Sequence, residues 1–95
     1  DEMKLFKNGV DIPLSSKESL LMKYFLNNPN KVLTKEQIYI NVWGNTVVDD
    51  NTIMVHIRHL RMKIEADPQQ PDFLKTVRGI GYQFVSSANP IQPLV

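Results

Sequence analysis

Hydrophobic residues recur along this chain in three helical stretches bracketed by two strand-like ones. The longest helical pattern spans residues 50–65. Wound at about 3.6 residues per turn, it places Ile53, Ile57, Leu60 and Ile64 on one narrow stripe, the pattern of a core-facing helix side. Its opposite side carries Asn51, Thr52, Val55, Arg58, His59 and Met62, with Arg61 and Lys63 on the shoulders. Two shorter helices precede it. Ser15 and Glu18 form a capping-box pair ahead of an apolar face of Leu20, Leu21, Tyr24 and Phe25. Thr34 and Gln37 repeat the pair ahead of Ile38, Tyr39, Val42 and Trp43, and Gly44 closes that helix.

Strand patterns flank the helices. Lys4-Leu5-Phe6-Lys7 and Val10-Asp11-Ile12 surround Asn8-Gly9, a dipeptide suited to a type I′ hairpin turn. Pro13 lacks an N–H and puts the second strand at a sheet edge. Lys31-Val32-Leu33 reads as a short extended link. Phe73–Val77 and Tyr82–Val85 read as strands joined by Arg78-Gly79-Ile80-Gly81, where the glycines serve a tight turn and let it approach another surface closely. Residues 86–95 hold two prolines and no charge and read as a tail. The expected fold is α+β: an N-terminal β-hairpin, three helices and a C-terminal β-hairpin, the layout of a winged helix-turn-helix over residues 1–85.

Composition adds exclusions. Of 95 residues, 42% are hydrophobic and 22% charged, which suits one folded domain. Without cysteine there is no disulfide and no thiolate zinc site. The apolar runs are too short for a membrane span, and no signal peptide is evident, so a cytoplasmic, nucleoid-associated location is expected. His56 and His59 stand at a metal-binding spacing but lack a third ligand. No nucleophile–base pair, paired carboxylates or phosphate loop is present, so neither enzyme activity nor a cofactor is expected. The net charge of +1 is uninformative, but its distribution is not. Residues 51–63 contain no acid, Asp49 and Asp50 precede them at a helix start, and Lys75 and Arg78 add cations later. Such a helix is shaped for insertion into an anionic partner, and the major groove of DNA fits.

Thr-Ile-Met-Val-His-Ile-Arg-His-Leu-Arg at residues 52–61 and Thr-Val-Arg-Gly-Ile-Gly-Tyr-Gln-Phe at residues 76–84 resemble the effector domains of OmpR/PhoB-family response regulators. Leu14-Ser15-Ser16-Lys17-Glu18, Val32-Leu33-Thr34-Lys35-Glu36-Gln37 and Val42-Trp43-Gly44 fit in order and spacing. The resemblance implies sequence-specific DNA binding, with the long helix in the major groove and the Arg78 hairpin in an adjacent minor groove. It implies base contacts from Thr52, Val55, His59 and Arg78. Backbone contacts fall to Trp43, Asn51, His56, Arg58, Arg61, Thr76 and Tyr82, with Trp43 half buried and its indole N–H offered outward. Val47 and Val48 fall in the loop that touches RNA polymerase in this family. Also implied are tandem half-sites on double-stranded DNA, a weak monomer that dimerises there, and a receiver domain, absent from this chain, controlled by a sensor histidine kinase. The chain departs from the family where Asn51 and His59 replace frequent arginines. The competing reading is a winged-helix protein–protein interaction module, which would present an apolar or mixed-charge outward helix face.

Overall fold

The computed structural model describes residues 4–7, 9–44, 49–85 and 91–94. In chain order the elements are β1 (Lys4–Lys7), β2 (Val10–Ile12), α1 (Ser16–Leu26), β3 (Val32–Thr34), α2 (Lys35–Ile38) continuing as a π-helical turn (Tyr39–Trp43), α3 (Asp50–Ile64), β4 (Leu74–Val77), β5 (Gly81–Phe84) and β6 (Ile91–Leu94). The expected α+β architecture of three helices between two hairpins is present.

Two antiparallel three-stranded sheets frame the helices, in the orders β2-β1-β6 and β3-β5-β4. Two expectations are corrected here. The link read at residues 31–33 is extended as expected, but Val32 and Leu33 in it belong to a paired strand, β3, where they face Gln83 and Tyr82. The stretch read as a tail supplies β6, which pairs Lys4 with Leu94 and Lys7 with Ile91. Neither alternates cleanly between apolar and polar residues, and β6 carries Pro93, tolerated because β6 is an edge strand. Asn8 lies outside the described residues; Gly9 beside it has the positive φ (80°) that a primed hairpin turn requires.

Both capping boxes form. Ser15 Oγ accepts from the Glu18 N–H at 3.2 Å while Glu18 Oε1 accepts from the Ser15 N–H at 2.9 Å. Thr34 and Gln37 do the same at 3.0 and 2.9 Å. The core collects Leu21, Phe25, Ile38, Leu74 and Phe84 together with the whole α3 stripe of Ile53, Ile57, Leu60 and Ile64. On α1 the buried partner of Leu21 is Met22, whereas Leu20 is 44% exposed, because the buried arc lies one position further along than the sequence pattern suggested. After Ile38 the wider π-helical turn shifts the helix phase, and Val42 and adjacent Trp43 both reach the core. Trp43, expected to be half exposed, is therefore 6% exposed.

Two carboxylates fix α3 within this frame. Glu65, buried at its C-terminus, accepts from the backbone N–H groups of Asp72 (2.8 Å), Phe73 (3.1 Å) and Leu74 (2.8 Å), which ties the start of β4 to the end of α3. Glu18, buried under α3, pairs with Lys63. Burial alone would raise the Glu18 pKa, but the Lys63 ammonium and the Ser15 N–H, with a smaller contribution from His59, outweigh it and hold the carboxyl below its ordinary range. A lowered carboxylate stabilises the fold above its unfolded pKa, and that contribution disappears as pH falls through the folded value.

The wing depends on two glycines for different reasons. Gly79 (φ 77°) sits at the third position of the turn closed by the Ile80 N–H to Val77 carbonyl bond (3.0 Å), a type II geometry that favours glycine there. Gly81 has an ordinary φ and serves the other purpose, close approach. A Cβ on it would stand 2.0 Å from the Leu33 carbonyl oxygen, so its role is to let β3 close against β5.

Glu65→Gln, which exchanges a charged acceptor for an amide with one acceptor oxygen, is expected to lower stability by about 2 kcal/mol in chemical denaturation. Against Glu18→Gln, the wild type is expected to be more stable at neutral pH, with the gap closing in acid below the ordinary carboxylate range. A pH-independent gap in thermal melts would contradict that assignment.

Candidate nucleic-acid interface

Helix α3 starts at a side-chain cap. Asp49 Oδ1 accepts from the Thr52 N–H at 3.0 Å and from the Thr52 hydroxyl at 3.1 Å. With its proton given to Asp49, the Thr52 hydroxyl presents outward only acceptor lone pairs and a methyl group. Opposite its buried stripe, α3 exposes Asn51, Val55 (45%) and Met62 (63%), with Arg58 beside them.

These side chains line one side of an open groove of about 760 Å³, closed by the turn at Asp67, Pro68 and Gln69 and by Thr76 and Tyr82 of the wing. The structure thus brings together Asn51, Val55, Arg58, Arg61, Thr76 and Tyr82. Thr52, His56 and His59 lie on the other shoulder of α3, toward α1 and Trp43. Arg78 stands exposed in the wing turn, with Lys75 exposed on β4. Val47 and Val48 lie outside the described residues.

Arg61 is less free than a surface cation. Its Nε donates to the Leu74 carbonyl at 2.9 Å, its Nη2 donates to Thr76 Oγ1 at 2.7 Å, and its guanidinium lies 5.8 Å from the Tyr82 ring centroid. Burial lowers its pKa, with Tyr82 and Glu65 acting in the opposite direction, yet a guanidinium remains charged. Two of its donors hold the wing and the others stay available. Thr76, accepting from Arg61, keeps its own hydroxyl proton to give away. Tyr82 is 5% exposed, so its ring belongs to the core and supports the wing.

On the other shoulder, His56 Nδ1 lies 2.8 Å from the Thr52 carbonyl oxygen, and its ring meets Trp43 edge-on at 5.2 Å. Lys17 spans the same corner, donating to the Val42 carbonyl at 3.2 Å with its ammonium 5.8 Å from the Trp43 ring centroid. Lys63, grouped by sequence with the free cations, is engaged by Glu18.

Sequence reasoning left Met54 out of the site, although it is 51% exposed and lines the groove; its position off the α3 core stripe was the available signal. It also missed Asp67, Pro68 and Gln69, which only the folded path of the connection brings to the groove.

Comparison with known proteins bears on this surface. The family described as "Transcriptional regulatory protein, C terminal" matches residues 9–84. The chain is 48% identical over 83 residues to the transcriptional regulatory protein YvrH of Bacillus subtilis, covering 86% of this chain and 35% of that protein. It is 48% identical over 80 residues to the sensory transduction protein RegX3 of Mycobacterium leprae, covering 83% of this chain and 40% of that one. It thus spans well under half the length of these relatives. Among solved structures it resembles the response regulator DrrB of Thermotoga maritima, an OmpR/PhoB homologue (TM-score 0.77, 32% identity, 82% of this chain and 36% of that one). It also resembles the Klebsiella pneumoniae RstA DNA-binding domain, solved in complex with the RstA box (TM-score 0.73, 26% identity, 81% of this chain and 77% of that one).

Arg61→Lys keeps the charge but not the planar fork, so it is expected to cost about 1–2 kcal/mol. Hydrogen exchange should then quicken at Thr76 and Tyr82 more than at the β1–β2 hairpin; uniform quickening would contradict a specific hold on the wing.

Proposed function

The chain belongs to the family of transcriptional regulatory protein C-terminal domains, the effector domains of OmpR/PhoB-type response regulators, and we propose that it binds duplex DNA with α3 in the major groove and the β4–β5 wing over the adjacent minor groove. The observation that carries this reading is the groove itself: an α3 face free of acids from residue 51 to 63 and the wing hairpin, through Thr76 and Tyr82, flank one concavity. Its one acidic lining residue among the described residues is Asp67, while Lys75 and Arg78 stand exposed elsewhere on the same hairpin. RstA's capture with its DNA box adds support.

Within this reading the contacts divide by chemistry. Arg58, Lys75 and the spare donors of Arg61 meet phosphates, as do Thr76 and His56, and supply affinity and register. Trp43 and Tyr82 act mainly by supporting those groups, with only their polar edges offered to the backbone. Val55, with Met54 and Met62 around it, suits thymine methyl groups, and Asn51 suits either a phosphate or the adenine N6/N7 edge. Thr52 acts through its methyl and its lone pairs. Arg78 suits a narrow, electronegative minor groove. The alternative of a pure protein-interaction module is not favoured, because cations and small polar groups share the exposed apolar surface of α3.

We place the domain in a longer two-component regulator, working at the nucleoid in the cytoplasm. Its receiver domain and a sensor histidine kinase would control it, and tandem half-sites about one helical turn apart would bind two weakly associating copies. The loop holding Val47 and Val48 is assigned to RNA polymerase on the family resemblance alone. The length and names of the relatives support this wider setting.

With four or five phosphates engaged, log K is expected to fall against log salt with a slope of about −4; a slope near zero on selected DNA would overturn the reading. Arg58→Ala should weaken binding on every sequence. Arg78→Ala should weaken it chiefly on A/T-flanked sites, and equal losses everywhere would make Arg78 a phosphate contact only.

A further inference from the structure

Glu18 belongs to α1, outside the proposed DNA surface, yet its carboxylate reaches α3. One oxygen is doubly committed: Oε1 accepts from the Ser15 N–H and from the Lys63 ammonium. The other, Oε2, faces His59 Nδ1 at 4.0 Å. The Glu18 side chain is 5% exposed and the His59 side chain 53%, so the imidazole runs from a buried anion out to the surface. Nε2 lies across the ring from Nδ1 and points away from the carboxylate.

The charged surroundings of His59 are few. From α1 comes Glu18, its ion-pair partner among the described residues. On α3 itself, Lys63 stands one turn on and is bound to the same carboxylate, while Arg58 adjoins on the groove side. His56, one turn before, is occupied with the Thr52 carbonyl. The lowered Glu18 pKa means that the group facing Nδ1 is an anion at neutral pH.

An anion beside Nδ1 favours the neutral tautomer that carries its proton there, the reverse of the one a free histidine side chain prefers in water. With α3 in the major groove as proposed above, the exposed edge of His59 on the α1 shoulder would meet the groove wall on that side, and Nε2 would show it a lone pair. In that state it accepts a hydrogen bond, which suits the amino groups of adenine N6 and cytosine N4. With a second proton Nε2 becomes a donor, which suits guanine O6 and N7.

We propose that Glu18 is a positioning residue that fixes the His59 tautomer, and so makes His59 a proton-switched base reader: adenine or cytosine when neutral, guanine when charged. This rests on the DNA-binding reading above and adds a specificity determinant from an element that does not touch DNA.

The test is selection from a randomised duplex library at about pH 5.5 and about pH 8, which bracket the range where imidazole changes charge. At one base position the wild type should swing from guanine in acid to adenine or cytosine in base, by about tenfold in relative enrichment. Glu18→Gln, without the anion, should favour guanine at both pH values, and His59→Gln should show no swing. Independently, ¹⁵N NMR of the free wild-type chain should find neutral His59 protonated on Nδ1. That result does not depend on any variant folding.

Protonation on Nε2 would overturn the proposal. So would selected sites that show no pH-dependent change at any position, or a Glu18→Gln variant that swings as the wild type does; in each case DNA binding itself would stand. Failure to enrich any sequence at either pH would overturn both this proposal and the reading on which it rests.

Discussion

The Glu65 carboxylate stands at the end of α3 and accepts three consecutive backbone N–H groups at the entry to β4. Everything proposed for this domain needs the helix and the wing held at a fixed spacing, and this clasp sets it. The intervening connection contains Pro68 and Pro71 and no regular element, so the chain path alone could not define that geometry. Arg61 adds a second fastening one turn earlier, to the Leu74 carbonyl and Thr76. Gly81 adds a third by letting β3 close on β5. The wing is thus built into the body of the domain.

The same economy explains why the charged residues of α3 divide as they do. Lys63 and Arg61 lie on the shoulders, where α1 and β4 offer them Glu18 and Thr76 as partners. Arg58 lies on the outer groove face. A cation count from the sequence would credit all three equally with DNA affinity. In the folded arrangement Lys63 is bound by Glu18 and Arg61 spends two donors on the wing, so on the proposed reading Arg58 takes that role in full and Arg61 in part. Two buried acids, Glu18 and Glu65, are the counterparts that make this division.

How much was legible beforehand follows from the range of each interaction. The caps at Ser15 and Thr34, the α3 stripe and the two hairpins are local patterns, and each has its expected form. The resemblance to OmpR/PhoB effector domains pointed to the correct fold and family from residues 52–61 and 76–84. What the sequence did not reveal depends on partners distant in the chain. Strand β3 exists because β5 pairs with it, and β6 because β1 does. Trp43 is buried because a π-helical turn changes the phase of its helix. Glu18 read as half of a capping box; that it also reaches Lys63 and His59, more than forty residues away, is a tertiary fact.

The central claim is that one face, built from the outer side of α3 and the wing, receives DNA. Amide chemical shifts followed by NMR during titration with a selected duplex test it most directly. The account predicts the largest changes at Asn51, Val55, Arg58, Met62, Thr76 and Arg78, with the β1–β2 hairpin and the exposed Leu20 side of α1 unaffected. Changes centred on that hairpin or on Leu20, with α3 silent, would contradict it.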